Sequence, residues 1–156
     1  MAFDPYSLCP CGTGKKIKFC CPELLGELEQ LDRLVEGDQT EAALEQVIRL
    51  LEKHPKKACL LATRTKLELA TKRFNDAAVT SRAFLEAYPD NPLALGHAAV
   101  AAALLDNMQE AASLFDRSRE LAGAEVPDDL VRIAMTLVQV AAQIGQFGRI
   151  NHRVAC

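Results

Sequence analysis

Three short segments share one pattern and align at a common spacing with offsets of one residue at most: Glu41-Ala42-Ala43-Leu44-Glu45, Asp76-Ala77-Ala78-Val79-Thr80 and Glu110-Ala111-Ala112-Ser113-Leu114. Ala43, Ala77 and Ala111 are 34 residues apart, and Pro55 and Pro89 follow the first two by twelve residues each. A small alanine lets two helices approach closely, and a proline closes the second helix of each unit because it has no N–H and clashes with the preceding turn. A period of 34 residues suits a helix-turn-helix unit. Between these marks, Leu24, Leu28, Leu31 and Val35 share one face of a helix, and Leu25 and Leu34 widen it. Gly37-Asp38 ends that helix, and Asp38 with Glu41 predicts a capping box for the next one, which stops at Pro55. The expectation is an all-α chain of paired helices, with units ending near His54, Tyr88 and Leu121.

The array from residue 23 to about 150 resembles tetratricopeptide repeats, with Phe74, Met108 and Phe147 as turn-packing residues. It departs from that pattern where Arg64 and Thr65 stand in place of apolar and small residues. The resemblance implies a helical-hairpin solenoid of about three and a half hairpins whose first helices line a concave groove. A fourth first-helix is expected from Asp128 to Ile144, followed by a turn at Gly145-Gln146-Phe147. That helix would leave Leu130, Ile133, Leu137, Val140 and Ala141 incompletely covered, so the chain either stops short of a natural end or pairs with something there.

Ahead of the helices lies a different signal. Four of the six cysteines, Cys9, Cys11, Cys20 and Cys21, fall within thirteen residues, while Cys59 and Cys156 stand alone. The start Met-Ala-Phe-Asp-Pro has neither a basic start nor an apolar run, so a reducing, cytoplasmic setting is the expectation. Clustered cysteines there read as metal ligands or redox groups. Metal is favoured, since a dithiol role would suit a C-x-x-C spacing that is missing. Zn²⁺ takes four soft ligands tetrahedrally at about 2.3 Å. Gly12 and Gly14 allow the chain to turn back, Pro10 stiffens the first pair, and Lys15, Lys16 and Lys18 offset the charge of a four-thiolate site. Pro22 suits a first helical turn, placing Cys20 and Cys21 at a positive helix end that favours thiolate.

The string Cys9-Pro10-Cys11-Gly12-Thr13-Gly14-Lys15-Lys16-Ile17-Lys18-Phe19-Cys20-Cys21 resembles the SEC-C motif, the zinc module at the C-terminus of the translocation ATPase SecA. The resemblance implies one Zn²⁺ held by Cys9, Cys11, Cys20 and Cys21 in a knuckle spanning residues 1–22, with the repeats over 23–156. Thr13 stands where Ser is usual, and Ile17, Phe19 and Pro22 also depart from the family. In the translocation ATPase this module contacts a chaperone and ribosomes. A bound Zn²⁺ supplies about 10–16 kcal/mol of apparent folding free energy to small domains.

Composition narrows the function classes. Of 156 residues, 18 are Lys or Arg and 21 Asp or Glu, a net charge of −3 that does not call for bulk nucleic-acid binding. The longest apolar run, Ala98 to Leu105, is eight residues and cannot span a membrane. Charge is segregated: residues 23–48 carry −7, residues 49–73 carry +6 and residues 74–131 carry −7. Lys53, Lys56, Lys57, Arg64 and Lys66 of the basic block, with Lys15, Lys16 and Lys18, are the candidate partner-binding residues, for an acidic peptide or a phosphate backbone. The plainer alternative is a solvated face, or one paired with acidic neighbours. His54, His97 and His152 are not at ligand spacing, and Cys59 reads as a small buried hydrophobe. No nucleophile-base pair, paired carboxylates or phosphate loop is found, so catalysis is not expected. The reading is a zinc knuckle plus helical-repeat scaffold that binds a peptide or protein. An RNA- or ribosome-associated binder and a structural subunit of an assembly are the alternatives.

Overall fold

The computed structural model describes residues 3–124 and 127–154, with side chains up to residue 145. It is all-helical. A short helix α1 (Ile17–Cys20) and a 3-10 turn (Pro22–Leu24) precede α2 (Leu25–Glu36), α3 (Thr40–Lys53), α4 (Ala58–Ala70), α5 (Phe74–Ala87), α6 (Pro92–Leu104), α7 (Met108–Ala122) and α8 (Asp128–Val154). From α2 to α7 each helix packs on the next, while α6 also meets α4 and α8.

The 34-residue period of the sequence reappears in the backbone. Helices α3, α5 and α7 begin at Thr40, Phe74 and Met108, and α4 and α6 begin at Ala58 and Pro92. In the turns before α3, α5 and α7, Asp38, Lys72 and Asp106 all adopt positive φ, at 55°, 60° and 65°. The recurring alanines do what their size predicts. Ala43, Ala77 and Ala111 are buried to within 1% of full burial, at places where a larger side chain would hold the helices apart.

One core runs through most of the molecule. Leu24, Leu44, Leu60, Phe84, Leu93 and Leu130 are its largest buried side chains, and Cys9, Cys11, Cys21 and Cys59 belong to it. Thus the N-terminal segment shares its interior with the helices. The helix-face expectation holds for Leu24, Leu28 and Leu31, while Val35 is 43% exposed at the end of α2.

Three local expectations are corrected. Asp38 does not cap α3; it sits in the left-handed turn, and Gln39 takes the N-cap position without a side-chain bond. Helix α8 does not turn at Gly145 but continues to Val154, because a single glycine weakens a helix by only about 1 kcal/mol. The side chain of Phe147 and those of His152 and Cys156 lie outside the described side chains. Finally, of the five residues expected to lack full cover, Leu130, Ile133 and Val140 are buried, the first two by packing where Gly96 lets α8 come close to α6, while Leu137 is half-buried and Ala141 exposed. Val131, Met135 and Val138 are the large apolar side chains of α8 left 44–69% exposed among the described residues.

Candidate metal centre

The N-terminal segment closes on itself before it meets the helices. Residues Leu8 and Lys16 form an antiparallel bridge, with Cys9 N–H donating to Lys15 O at 2.8 Å and Ile17 N–H to Ser7 O at 3.0 Å. The chain reverses between them through Gly12 and Gly14, at φ 79° and 71°, a region L side chains enter only with strain. This brings Cys9 and Cys11 opposite α1. Cys20 ends α1, and Cys21 caps the 3-10 turn begun by Pro22, so only Cys21 precedes a helical start as expected.

The thiols converge. Cys9, Cys20 and Cys21 have sulfurs all within 4.8 Å of one another, close enough to hold a metal ion. Cys9 Sγ lies 3.6 Å from Cys21 Sγ, and Cys11 Sγ lies 3.1 Å from Cys20 Sγ. An edge of a tetrahedron with metal–sulfur bonds of about 2.3 Å measures roughly 3.8 Å, so the first pair is already at ligand separation. Cys9, Cys11 and Cys21 are at most 3% exposed, whereas Cys20 is half-buried at the rim. Thr13 Oγ1 stands beside that rim pair, 3.0 Å from Cys11 Sγ and 3.4 Å from Cys20 Sγ.

Sequence reasoning missed the fifth thiol. Cys59, second residue of α4 and fully buried, lies in the same core cluster as Cys9, Cys11 and Cys21. The only sequence signal was its being a cysteine; its neighbours are set by how α4 packs.

Thiols packed this closely cannot all ionise, and they share protons. A hydrogen bond from Cys59, then one from Cys9, holds Cys21 well below the ordinary thiol range. The same bond pushes Cys59 up to about 12. Cys11 is pulled down chiefly by its bond from Cys9, whose own thiol is raised by that bond. Burial raises Cys20. Lys16 and Lys18 of the loop gather on Tyr6. Lys18 donates to Tyr6 Oη at 2.9 Å and lies 4.9 Å from its ring centroid, and Lys16 sits over the same ring at 5.6 Å. Instead Lys57, ion-paired to Glu23, acts on Cys21 and on Cys59.

Two further contacts seat the segment on α6. Asn91, the N-cap of α6, accepts from Leu93 N–H at 2.9 Å and Ala94 N–H at 3.1 Å, while its amide donates to Cys11 O at 2.6 Å. Gly12 packs so tightly there that a Cβ would stand 2.6 Å from Asn91 Oδ1 and 3.0 Å from Leu93 Cβ.

The basic block is largely neutralised by neighbouring helices. Arg64 binds buried Glu68 at 2.7 Å, Lys66 binds Asp129 of α8 at 2.9 Å, and Arg73 binds Glu41 of α3 at 2.8 Å. With Lys57 on Glu23, the plainer reading of this charge run is the better supported one. Lys15, Lys53 and Lys56 are exposed and make no ion pair among the described residues. A cavity of about 380 Å³ opens between α4, α6 and α8, lined by Lys66, Phe74, His97, Asp129, Arg132 and Ile133. His97 was read as uninformative, yet it is 2% exposed with both ring nitrogens unpartnered, and burial lowers it to about 3. No helix among the described residues is long and apolar enough to cross a membrane.

Compared with protein-family models, curated proteins and solved structures, the chain matches none of the three.

Proposed function

We propose that this chain is a metal-binding interaction module, in which one Zn²⁺ on Cys9, Cys11, Cys20 and Cys21 organises residues 1–22 as a SEC-C-like knuckle. Residues 23–156 then form a tetratricopeptide-like solenoid that binds a peptide or protein segment in the cytoplasm. The observation that carries the metal reading is the convergence of Cys9, Cys20 and Cys21 within 4.8 Å, with Cys11 against Cys20. Four thiols, three of them buried and Cys20 at the rim, supply the soft donor set that a tetrahedral Zn²⁺ ion takes. Four thiolates fill a tetrahedral ion and leave no position for water or substrate, which favours a folding role over a catalytic one.

The repeat reading rests on the recurrence of helix starts and of positive-φ turn residues at 34-residue intervals. The cavity between α4, α6 and α8 supports groove binding, and Arg132 in its lining, which makes no ion pair among the described residues, favours an acidic segment there. A second reading, a subunit of a larger assembly, is supported by the exposed Val131, Met135 and Val138 on α8.

The test is elemental analysis of untagged, reduced protein, with circular dichroism before and after chelation. One zinc per chain, lost from a Cys20→Ser Cys21→Ser variant that keeps most of its helicity, is expected. A reduced sample without metal, unable to take up added Zn²⁺, would refute the metal reading and leave a helical array alone.

A further inference from the structure

The cavity between α4, α6 and α8 has an unpartnered polar side chain in its wall. His97 of α6 is 2% exposed, and neither of its ring nitrogens has a hydrogen-bond partner among the described residues. Nearly every buried polar group in a folded protein is bonded, so an orphan calls for a reason. Phe84, whose ring centroid lies 6.5 Å from that of His97, offers no acceptor. The other walls divide by chemistry. Phe74, Val100, Leu104 and Ile133 are apolar. Lys66 and Asp129 pair at 2.9 Å and cancel in charge. Thr136 is already committed, its hydroxyl donating to Arg132 O at 3.0 Å. Arg132 makes no ion pair among the described residues, so the cavity keeps one positive charge in excess. Its volume of about 380 Å³ falls within the range of small-molecule sites, which combine apolar walls with a few polar groups.

We propose that this cavity binds a small organic acid, one carboxylate on an apolar body, held by Arg132 and by a hydrogen bond from the His97 imidazole. The ligand class follows from the walls. Burial keeps the imidazole neutral, which leaves it one N–H to donate, and a carboxylate oxygen accepts it. The guanidinium of Arg132, exposed on a long stem, matches the second oxygen and neutralises the charge. A cation would meet the excess positive charge, and a hydrocarbon would leave His97 without its bond. Phe74, Val100, Leu104 and Ile133 then cover the body of the acid. This goes beyond the peptide reading, which needs the length of the array, whereas the acid needs this cavity alone.

The experiment is isothermal titration calorimetry of the full-length reduced protein, with one equivalent of Zn²⁺, using octanoate, octanol and octylamine as probes. One octanoate per chain is expected, bound at least ~10-fold tighter than octanol, with octylamine the weakest. Arg132→Gln and His97→Leu should each weaken octanoate by ~10-fold or more, the size of a lost hydrogen bond to a charged group. Octanol should be unaffected by the first and bind no worse in the second, because leucine only adds apolar surface. Ala70→Trp, at an exposed position of the cavity wall, should block both probes. Far-UV dichroism checks that each variant is folded, and the imidazole resonances of ¹⁵N-histidine protein should show His97 shifting with octanoate. If octanoate and octanol bind alike, and Arg132→Gln changes neither, the cavity is an apolar hollow and the proposal fails. Octanoate binding that survives Ala70→Trp would place the acid elsewhere and equally overturn it. If no probe binds at millimolar concentration, the cavity takes up water alone and the proposal fails, with the metal and peptide readings intact.

Discussion

Asn91 does two jobs with one amide, and separating them tests how residues 1–22 are held. Its Oδ1 satisfies two N–H groups of the first turn of α6, and its Nδ2 donates to Cys11 O. Asn91→Ala removes both. Losing the cap costs about 1 kcal/mol, and losing the bond to the half-buried knuckle costs about 1 kcal/mol more. The expected loss is therefore about 2 kcal/mol, a fall in Tm of roughly 4–8 °C for a chain of this size. Asn91→Asp distinguishes the two terms. Aspartate is as good an N-cap and better suited to the helix dipole, so a residue that only caps would leave stability unchanged or raised. Here it sets a carboxylate oxygen against the Cys11 carbonyl at 2.6 Å, in place of a donor, and next to a thiolate cluster. Asn91→Asp should thus lose about 1–3 kcal/mol, as much as alanine or more. Gly12→Ala drives a Cβ toward the same oxygen and should couple non-additively with Asn91→Ala, because both disrupt one contact. The assay is urea unfolding of the metal-loaded, reduced protein followed by far-UV dichroism. An Asn91→Asp variant within 0.5 kcal/mol or so of wild type would refute the docking argument.

The remaining predictions address other parts of the fold. His97 is buried and neutral with its pKa lowered to about 3, so the unfolded chain binds a proton that the folded one does not between that value and about 6.5. Its share of stability is complete above pH 6.5 or so and is lost as pH falls toward 3; His97→Leu should flatten that slope relative to wild type in denaturation curves at stepped pH. A slope equal to wild type would show that His97 is charged in the fold. Ile133→Ala on the covered face of α8 should cost about 2–4 kcal/mol, and Val138→Ala on its exposed face less than about 0.5. The reverse order in thermal melts would mean that α8 is turned the other way. Lys72, exposed at φ 60°, should gain roughly 0.5–1 kcal/mol on replacement by glycine, measured by the urea midpoint. A loss would show that the turn does not carry the strain its backbone implies.

Much of this molecule was legible from spacing alone. The helices ended within about two residues of where Pro55, Pro89 and the Ala122–Pro127 loop marked them, and the repeated alanines were buried because a regular chain presents regular positions to its neighbours. Cys9, Cys20 and Cys21 converged, with Cys11 against Cys20, because two close pairs joined by a glycine-bearing loop have few other ways to fold. The misreadings share a cause. Asp38 and Glu41 satisfied a capping pattern, but the tight turn needed a left-handed residue at that place, and the backbone requirement won.

What local pattern could not supply was which distant groups would meet. Composition and periodicity determined the all-helical class, the 34-residue frame and the cysteine-rich loop, since each is written within a few consecutive turns. Only the tertiary structure decided that Cys59 shares a core with Cys9 and Cys21, that Asn91 grips Cys11, that Lys57 pairs with Glu23, and that the basic block is spent on Glu41, Glu68 and Asp129. Most of those contacts join residues more than thirty positions apart. They exist because helices pack by whole faces, and a face brings along every side chain on it, whether or not the nearby sequence announces a use for it.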